Sequence, residues 1–589
     1  MNCVHTYMKN KTGGTKMKKS LLSVISLLLV MSLFLAACGG NDSKSGEGKE
    51  SAEKTSEPQQ GGKVTYALGG EFQGLLEWAF YEEASDAEII QFFNESLIKT
   101  DDNLNYIPGI ASWETEDNQH YTFTFQKGVK WHNGEELTVN DWVFALETIA
   151  HPDYTGPRYV NVKDIVGAPE FHDGKADSIS GLKVIDDYTI EITFDKARVN
   201  NLENLWTYPM PKKHFEGVAV KDMASSPQVR QNPVGLGPFK VKKIVQGESV
   251  EMERFDDYYQ GKPNLDTVVV KVIDAALTSG VLQSGEVDVM SVHPSNYEQV
   301  AALDNVNLEK VLGLSYSYIG FKFGHWDAEK EENVMDNEKF QNLKLRQALV
   351  HAINREEWIK GFFNGLGEVV DTPVPSAHWI AADKEDLTHY EYDPKKAESL
   401  LDEAGYKDVD GDGFREDPNG KQFSVQFAHY AGSNPTFEPR AKYIVQAWND
   451  VGIKTEFAKG ALIDGTLYYD MLEKDDKDME VHFGTWGTGT DPDPSGLWAR
   501  DAVWNFTRWT NEKNDQLLED ALDVSIVGND KEKRKELYVE WQQLWNEQLP
   551  IIPIVEYYDL WGMNKRVEGV HVSAEGLSDF HKWYVTDAK

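Results

Sequence analysis

Residues 128–143 read Gly-Val-Lys-Trp-His-Asn-Gly-Glu-Glu-Leu-Thr-Val-Asn-Asp-Trp-Val. Gly128 and Gly134 set turns, because glycine enters backbone conformations that a Cβ disfavours. Trp131 and Trp142 are read as packing residues rather than site residues. Upstream, 121–125 (Tyr-Thr-Phe-Thr-Phe) alternates in polarity, and downstream 188–194 (Tyr-Thr-Ile-Glu-Ile-Thr-Phe) does the same. Both predict half-buried strands. Further out, 63–68 predicts an opening strand closed by Gly69-Gly70, and the Val-rich run 266–273 predicts a strand buried on both faces.

From about residue 336 the period changes. Leu345, Ala348, Leu349, Ala352 and Ile353 form a helical stripe, and Asn354-Arg-Glu-Glu357 resembles a capping signal for the next helix. Residues 439–451 place Tyr443, Ile444, Ala447, Trp448 and Val451 on one face before Gly452. Residues 533–548 do likewise with Leu537, Trp541, Leu544 and Trp545. Strands and helices mixed over more than 500 residues predict α/β lobes, and no 20–50-residue repeat suggests a solenoid.

Acidic residues number 97 against 59 basic ones. Such a surface repels phosphate backbones, so nucleic acid is a poor partner. The two cysteines, Cys3 and Cys38, lie in the first 38 residues, so the body carries no disulfide, thiolate metal site or cysteine nucleophile. The fifteen histidines are scattered without metal-ligand spacing, and no nucleophile elbow or phosphate loop is present. Gly235-Leu-Gly237-Pro238 lacks the third glycine of a dinucleotide fingerprint. These absences point to binding rather than catalysis.

The N-terminus reads as a secretory leader. Met17-Lys-Lys19 is a basic start, 21–34 is an apolar run, and Leu35-Ala-Ala-Cys38 follows. Met17 is the better initiator, and 1–37 is assigned as signal peptide. Residues 39–62 are Gly, Ser, Lys and Glu with almost nothing apolar, a flexible tether. No later stretch approaches transmembrane length.

The run Asp408-Val-Asp410-Gly-Asp412-Gly-Phe414-Arg-Glu416-Asp417 carries acids at positions 1, 3 and 5 and Gly at 6 of a calcium loop. Asn419 stands where the closing Glu belongs, and a strand is expected after the loop instead of a helix. Two readings stay open: a structural Ca2+ held by Asp408, Asp410, Asp412, Phe414 and Asp417, or a plain Asp/Gly turn. No cofactor is required in either.

Four segments together resemble the peptide/nickel-type (family 5) solute-binding proteins of ABC importers, particularly the oligopeptide-binding lipoproteins of Gram-positive bacteria. They are 128–143, where the resemblance has Thr138 opening a helix; 233–239 (Pro-Val-Gly-Leu-Gly-Pro-Phe) with 256–263; 345–355; and 392–406 running into the acidic loop. In the third, Arg346 is expected to make an internal pair. They span nearly the whole body in the family's order. Leu-Ala-Ala-Cys38 is similar to a lipoprotein signal, which would place diacylglycerol on Cys38 and hold the protein on the outer face of the cell membrane, two acyl chains sufficing for stable anchoring.

The resemblance implies a two-lobed, type II periplasmic-binding-protein-like α/β fold with an extra subdomain. Lobe 1 would comprise 63–105, 236–313 and 556–589, the inserted subdomain 106–235, and lobe 2 314–555, with crossings near 312–316 and 550–556. It further implies a monomer that closes by a hinge around an oligopeptide and delivers it to membrane permease subunits, with no enzymatic step. Relatives that bind other solutes (oligosaccharides, nickel complexes) and peptide-pheromone receptors share the fold and remain alternatives. The expected contact loop is Trp486, Gly487, Thr488, Gly489, Thr490 and Asp491, followed by Pro-Asp-Pro. In relatives preferring short peptides an Asp shortly after this Trp holds the peptide amine; here Gly489 or Thr490 falls there and Asp491 is displaced, which favours longer guests. Further expected contacts are Glu71 and Phe72, Tyr316 and Tyr318, and His429 and Tyr430.

Overall fold

The computed structural model describes residues 58–587 except 433 and 435; the expected leader, Cys38 and most of the tether lie outside them. The chain divides into two units, Met1–Thr55 and Ser56–Lys589, and all that follows concerns the second.

Eleven strands form the main sheet: β1 (Lys63–Leu68), β2 (Phe239–Val245), β3 (Ser249–Arg254), β4 (Thr267–Val272), β5 (Val289–Ser291), β6 (Val306–Phe321), β7 (Gly367–Glu368), β8 (Ser424–Ala428), β9 (Lys454–Phe457), β10 (Val481–Gly487) and β11 (Ile551–Asn564). Their order is β9-β8-β10-β6-β11-β5-β1-β4-β3-β2, with β7 also on β11. β1 lies parallel to β4 and β5, so each connection must cross over, whereas β2, β3 and β4 follow as antiparallel neighbours. β4 differs from expectation. Val268 and Val270 are buried, but Thr267 and Val269 are half-buried, because their face leads to Lys271 and its ion pair with Glu286.

A separate antiparallel sheet of four strands holds Ala111–Glu114, His120–Phe125, Leu182–Asp186 and Thr189–Thr193. The helix Val139–Ala150 packs on it, burying Trp142 against Phe123. Thr138 precedes that helix in extended conformation, and its N–H donates to Asp141 Oδ2 at 3.0 Å, which closes the first turn.

Three large cores result. One draws on residues between 75 and 236, a second on 64–93, 239–289 and 563–585, and a third on 316–555. β11 runs from the second into the third, while β6 enters the third from a smaller cluster that includes Leu282, Val300, Val306 and Leu560. The third is pinned by two buried arginines. Arg355 donates to the carbonyls of Val370, Tyr390 and Pro553 and to Asp371 Oδ1, all within 3.0 Å. Arg346 is internal as expected, but its partners are the carbonyls of Phe340, Gln548 and Leu549 rather than an acid.

Candidate binding site

The site is built where β6 and β11 lose register. They pair at 306–312 with 558–564 and again at 316–320 with 551–556, leaving 313–315 out of step. Gly313 leaves room there for the Asp559 carboxylate, which a Cβ would meet at 2.3 Å and push aside. Immediately beyond, Thr488 donates twice to Leu314 O, from its amide at 2.7 Å and its hydroxyl at 2.9 Å.

That bond fixes the direction of every group on β10. Antiparallel partners alternate between bonded and non-bonded pairs. With 488/314 bonded, the pairs 487/315 and 485/317 are non-bonded, so the N–H and C=O of Thr485 and Gly487 face away from β6. The hydroxyls of Ser317 and Thr485 accordingly meet at 2.6 Å. On the outward edge, β8 pairs with Val481 and His482, and the Tyr468 hydroxyl takes Phe483 O at 2.5 Å. Among the described residues no strand pairs with that edge from Thr485 onward, and Thr485, Gly487 and Gly489 are exposed. Such an edge can accept an extended chain.

An aromatic wall adjoins it. Trp486 stacks on Phe506 at 5.9 Å and meets the edge of Trp504, which is 47 % exposed. Tyr430 packs on the same cluster, its ring parallel to that of the exposed Tyr469. Gly484 allows β10 to lie close to Tyr318, whose ring would stand 2.4 Å from a Cβ.

The remainder of the loop is tied to other elements. His378 Nε2 lies 2.7 Å from Thr488 Oγ1. Because that hydroxyl gives its proton to Leu314, His378 is the donor through Nε2, and burial holds its pKa down to about 4. Asp491 joins Arg534 at 3.1 Å and accepts from Asn200 Nδ2 at 3.0 Å. Thr490 donates to Glu575 Oε1 at 3.1 Å. A cavity of about 220 Å³ lies between 373–378 and 487–498.

The other expected contacts are placed as follows. Glu71 is exposed beyond β1, but Phe72 is buried in the second core. Tyr316 and Tyr318 are buried in the third core rather than open to a guest. Tyr316 accepts from Trp498 Nε1 at 3.2 Å, and Tyr318 packs edge-on to Trp498. His429 is also a core residue, stacked on Phe483 at 4.7 Å with Nε2 accepting from Arg440. The physical reason is shared: sheet and helical layers close over these positions, and each aromatic is worth more packed than exposed. Asn200, Glu203, His378, Trp504, Arg534 and Glu575 carry no sequence signal of the kinds used above. For Thr485 the period-2 parity with Gly487 was the available signal; the others come together only in three dimensions.

The acidic loop makes its own bonds. Asp408 accepts from Gly411 N (2.7 Å) and Gly413 N (3.1 Å), Asp410 from Asp412 N, and Asp412 from Phe414 N. Carboxylate oxygens of Asp408, Asp410 and Glu416 lie within 4.8 Å of one another. Glu416, not Asp412 or Asp417, completes that group. Asp417 instead accepts the amides of Asn419 and Lys421 at 2.9 Å, capping the next turn.

Residues 105–505 match the profile of bacterial extracellular solute-binding proteins, family 5. The oligopeptide-binding protein AppA of Bacillus subtilis is 29 % identical over 97 % of this chain and 99 % of its own length. The solved structure of that AppA in complex with a nonapeptide superposes with a TM-score of 0.68 at 28 % identity, covering 90 % of this chain and all of the other. Lactococcal OppA, complexed with an endogenous peptide in the closed conformation, gives 0.73 at 26 % identity, covering 89 % of this chain and all of the other.

Proposed function

The chain belongs to the bacterial extracellular solute-binding proteins of family 5, and from that premise we propose that it captures oligopeptides in extended form and hands them to the permease subunits of an ABC importer. The observation that carries this reading is the unpaired edge of β10 at Thr485 and Gly487, beside the register break of β6. An extended guest adds there as a further strand, binding through the N–H and C=O that every peptide shares. Its side chains then reach the Trp486–Trp504 wall and the cavity beside His378, where water fills unused space at little cost. With Asp491 held by Arg534 and Asn200, no carboxylate of this loop is reserved for the guest's amine, which favours longer peptides.

The lobes follow the expected boundaries in this reading, with 313–315 as the hinge, and closure around the guest is what the importer recognises. The guest leaves chemically intact. Cys38 carries the lipid anchor and the protein works as a monomer; no helix among the described residues is long and apolar enough to cross a membrane. A calcium ion at Asp408, Asp410 and Glu416 would serve the loop's structure alone.

A panel of tri- to decapeptide mixtures, cello-oligosaccharides and nickel complexes tests the reading by thermal shift. Peptides at saturation should raise the melting temperature by several degrees, and mass spectrometry should recover them uncut. The exposed Trp504 beside Trp486 favours sugar stacking as the second reading; stabilisation by oligosaccharide alone would replace the first.

A further inference from the structure

Three carboxylates and one guanidinium meet where the inserted segment touches the third core's helices. Arg534, 6 % exposed, reaches Asp491 at 3.1 Å and the Tyr538 hydroxyl at 3.3 Å. Tyr538 in turn donates to Asp493 at 3.2 Å. Across the contact, Asn200 donates to Asp491, and Glu203 on the short helix Asn201–Asn204 lines a cavity of about 210 Å³ that Arg534 also lines. Glu203 Oε2 and Arg534 Nε are both closed to solvent, and neither has a hydrogen-bond partner among the described residues. With every acid ionised, the cluster would hold three negative charges against one positive.

The surrounding groups do not restore the balance. Lys531 faces the same cavity but lies over Trp379 at 4.4 Å and donates to Asn105, while Asp530 beside it is a further acid. Tyr106 and Tyr121 approach from the inserted segment, and burial with the nearby Glu203 charge raises both phenols, so they stay neutral. Glu575 adds negative charge beyond Thr490, and His378 is neutral.

We propose that closing the far lobe onto the inserted segment takes up a proton at Glu203, so that the closed form gains population as pH falls. Opening would leave Glu203 on the inserted segment and carry Asp491, Asp493 and Arg534 away with the far lobe. Burial, and after it the charge of Asp491, push Glu203 in the closed form up to about 8; the same causes bring Asp493 to about 6. An acid whose pKa is raised on closure stabilises the closed form most below its open-state value. That stabilisation disappears as pH rises through the closed-state value. Between them the closed-to-open ratio changes up to tenfold per pH unit for each proton. The inference rests on the lobe closure proposed above and not on what the guest is.

The test uses the unit from Ser56 onward, which contains every core described and carries no cysteine. Cysteines replacing Val184 and Leu467, both exposed, would take a fluorophore pair. Energy transfer is followed from pH 5 to 9, without solute and with a mixture of synthetic nonapeptides. The closed fraction of the native sequence should fall as pH rises toward 8, Glu203→Gln should flatten the response above about pH 6, and Asp493→Asn should remove the part that remains near pH 6. Circular dichroism of each variant checks that it folds. Identical pH profiles for the native sequence and Glu203→Gln would overturn the proton linkage while leaving peptide capture standing. A pH response without any effect of nonapeptide would do the reverse.

Discussion

Thr488 holds the carbonyl of Leu314 twice, through its amide at 2.7 Å and its hydroxyl at 2.9 Å, and so anchors the end of β10 to β6 at its register break. The hydroxyl also receives His378. Thr488→Val keeps the shape and removes both side-chain bonds. Stability should fall by about 1–2 kcal/mol, and peptide affinity should weaken because Gly487 and Gly489 are no longer held in line. Urea unfolding and calorimetric titration, run on the same preparation, read the two effects.

The pairing of Asp491 with Arg534 bears on how ends of the guest are read. A carboxylate already shared between a guanidinium and Asn200 offers no site for an ammonium group. Acetylating the N-terminus of a bound nonapeptide should therefore change its Kd by less than about threefold, well under the tenfold that about 1.4 kcal/mol represents. A loss of a hundredfold would place an amine anchor in the cleft.

Arg355 joins the helix Arg355–Phe363 to β11 and to the 370–390 segment through four bonds, at 2 % exposure. Arg355→Met fills similar volume but takes the donor from three buried carbonyls and leaves the Asp371 carboxylate to His389. A destabilisation of about 3–5 kcal/mol is expected. The denaturant midpoint measures it.

Buried histidines make the fold acid-sensitive. His429 is held down to about 3 by burial and then by the charge of Arg440, whereas an unfolded histidine titrates near 6.5. Its contribution is complete above that unfolded value and is lost as pH falls toward 3, by about 1.4 kcal/mol per unit. His429→Gln can still accept from Arg440, and it should lose less stability than the native protein between pH 7 and pH 5. The difference between their urea midpoints isolates this residue from the other titrating groups.

Much of the architecture could be read along the chain because it depends on local pattern. The opening strand falls at Lys63–Leu68, and the stripe around Trp448 lies on the helix Phe437–Asp450. Asn354 caps the helix that follows it, accepting Glu357 N at 2.9 Å. Val269 and Lys271 show the limit: a Val-rich run does not tell how many faces its neighbours will cover. The site was less legible. Trp486 and its glycines do lie beside an open strand edge, yet Tyr316, Tyr318 and His429 proved to be core, since an aromatic side chain reads alike in either setting. The Glu203–Asp491–Arg534 group joins Glu203 to two residues hundreds of positions further along the chain, and no spacing rule brings them together.

The most direct measurement is a backbone N-methyl scan of one bound nonapeptide by calorimetry, set beside an alanine scan of its side chains. If the guest adds as a strand to Thr485 and Gly487, methylation at alternate positions should weaken binding about tenfold each, with the positions between them tolerant and most alanine replacements mild. Uniform tolerance of N-methylation, with affinity following particular side chains instead, would show that the guest is not held through its main chain.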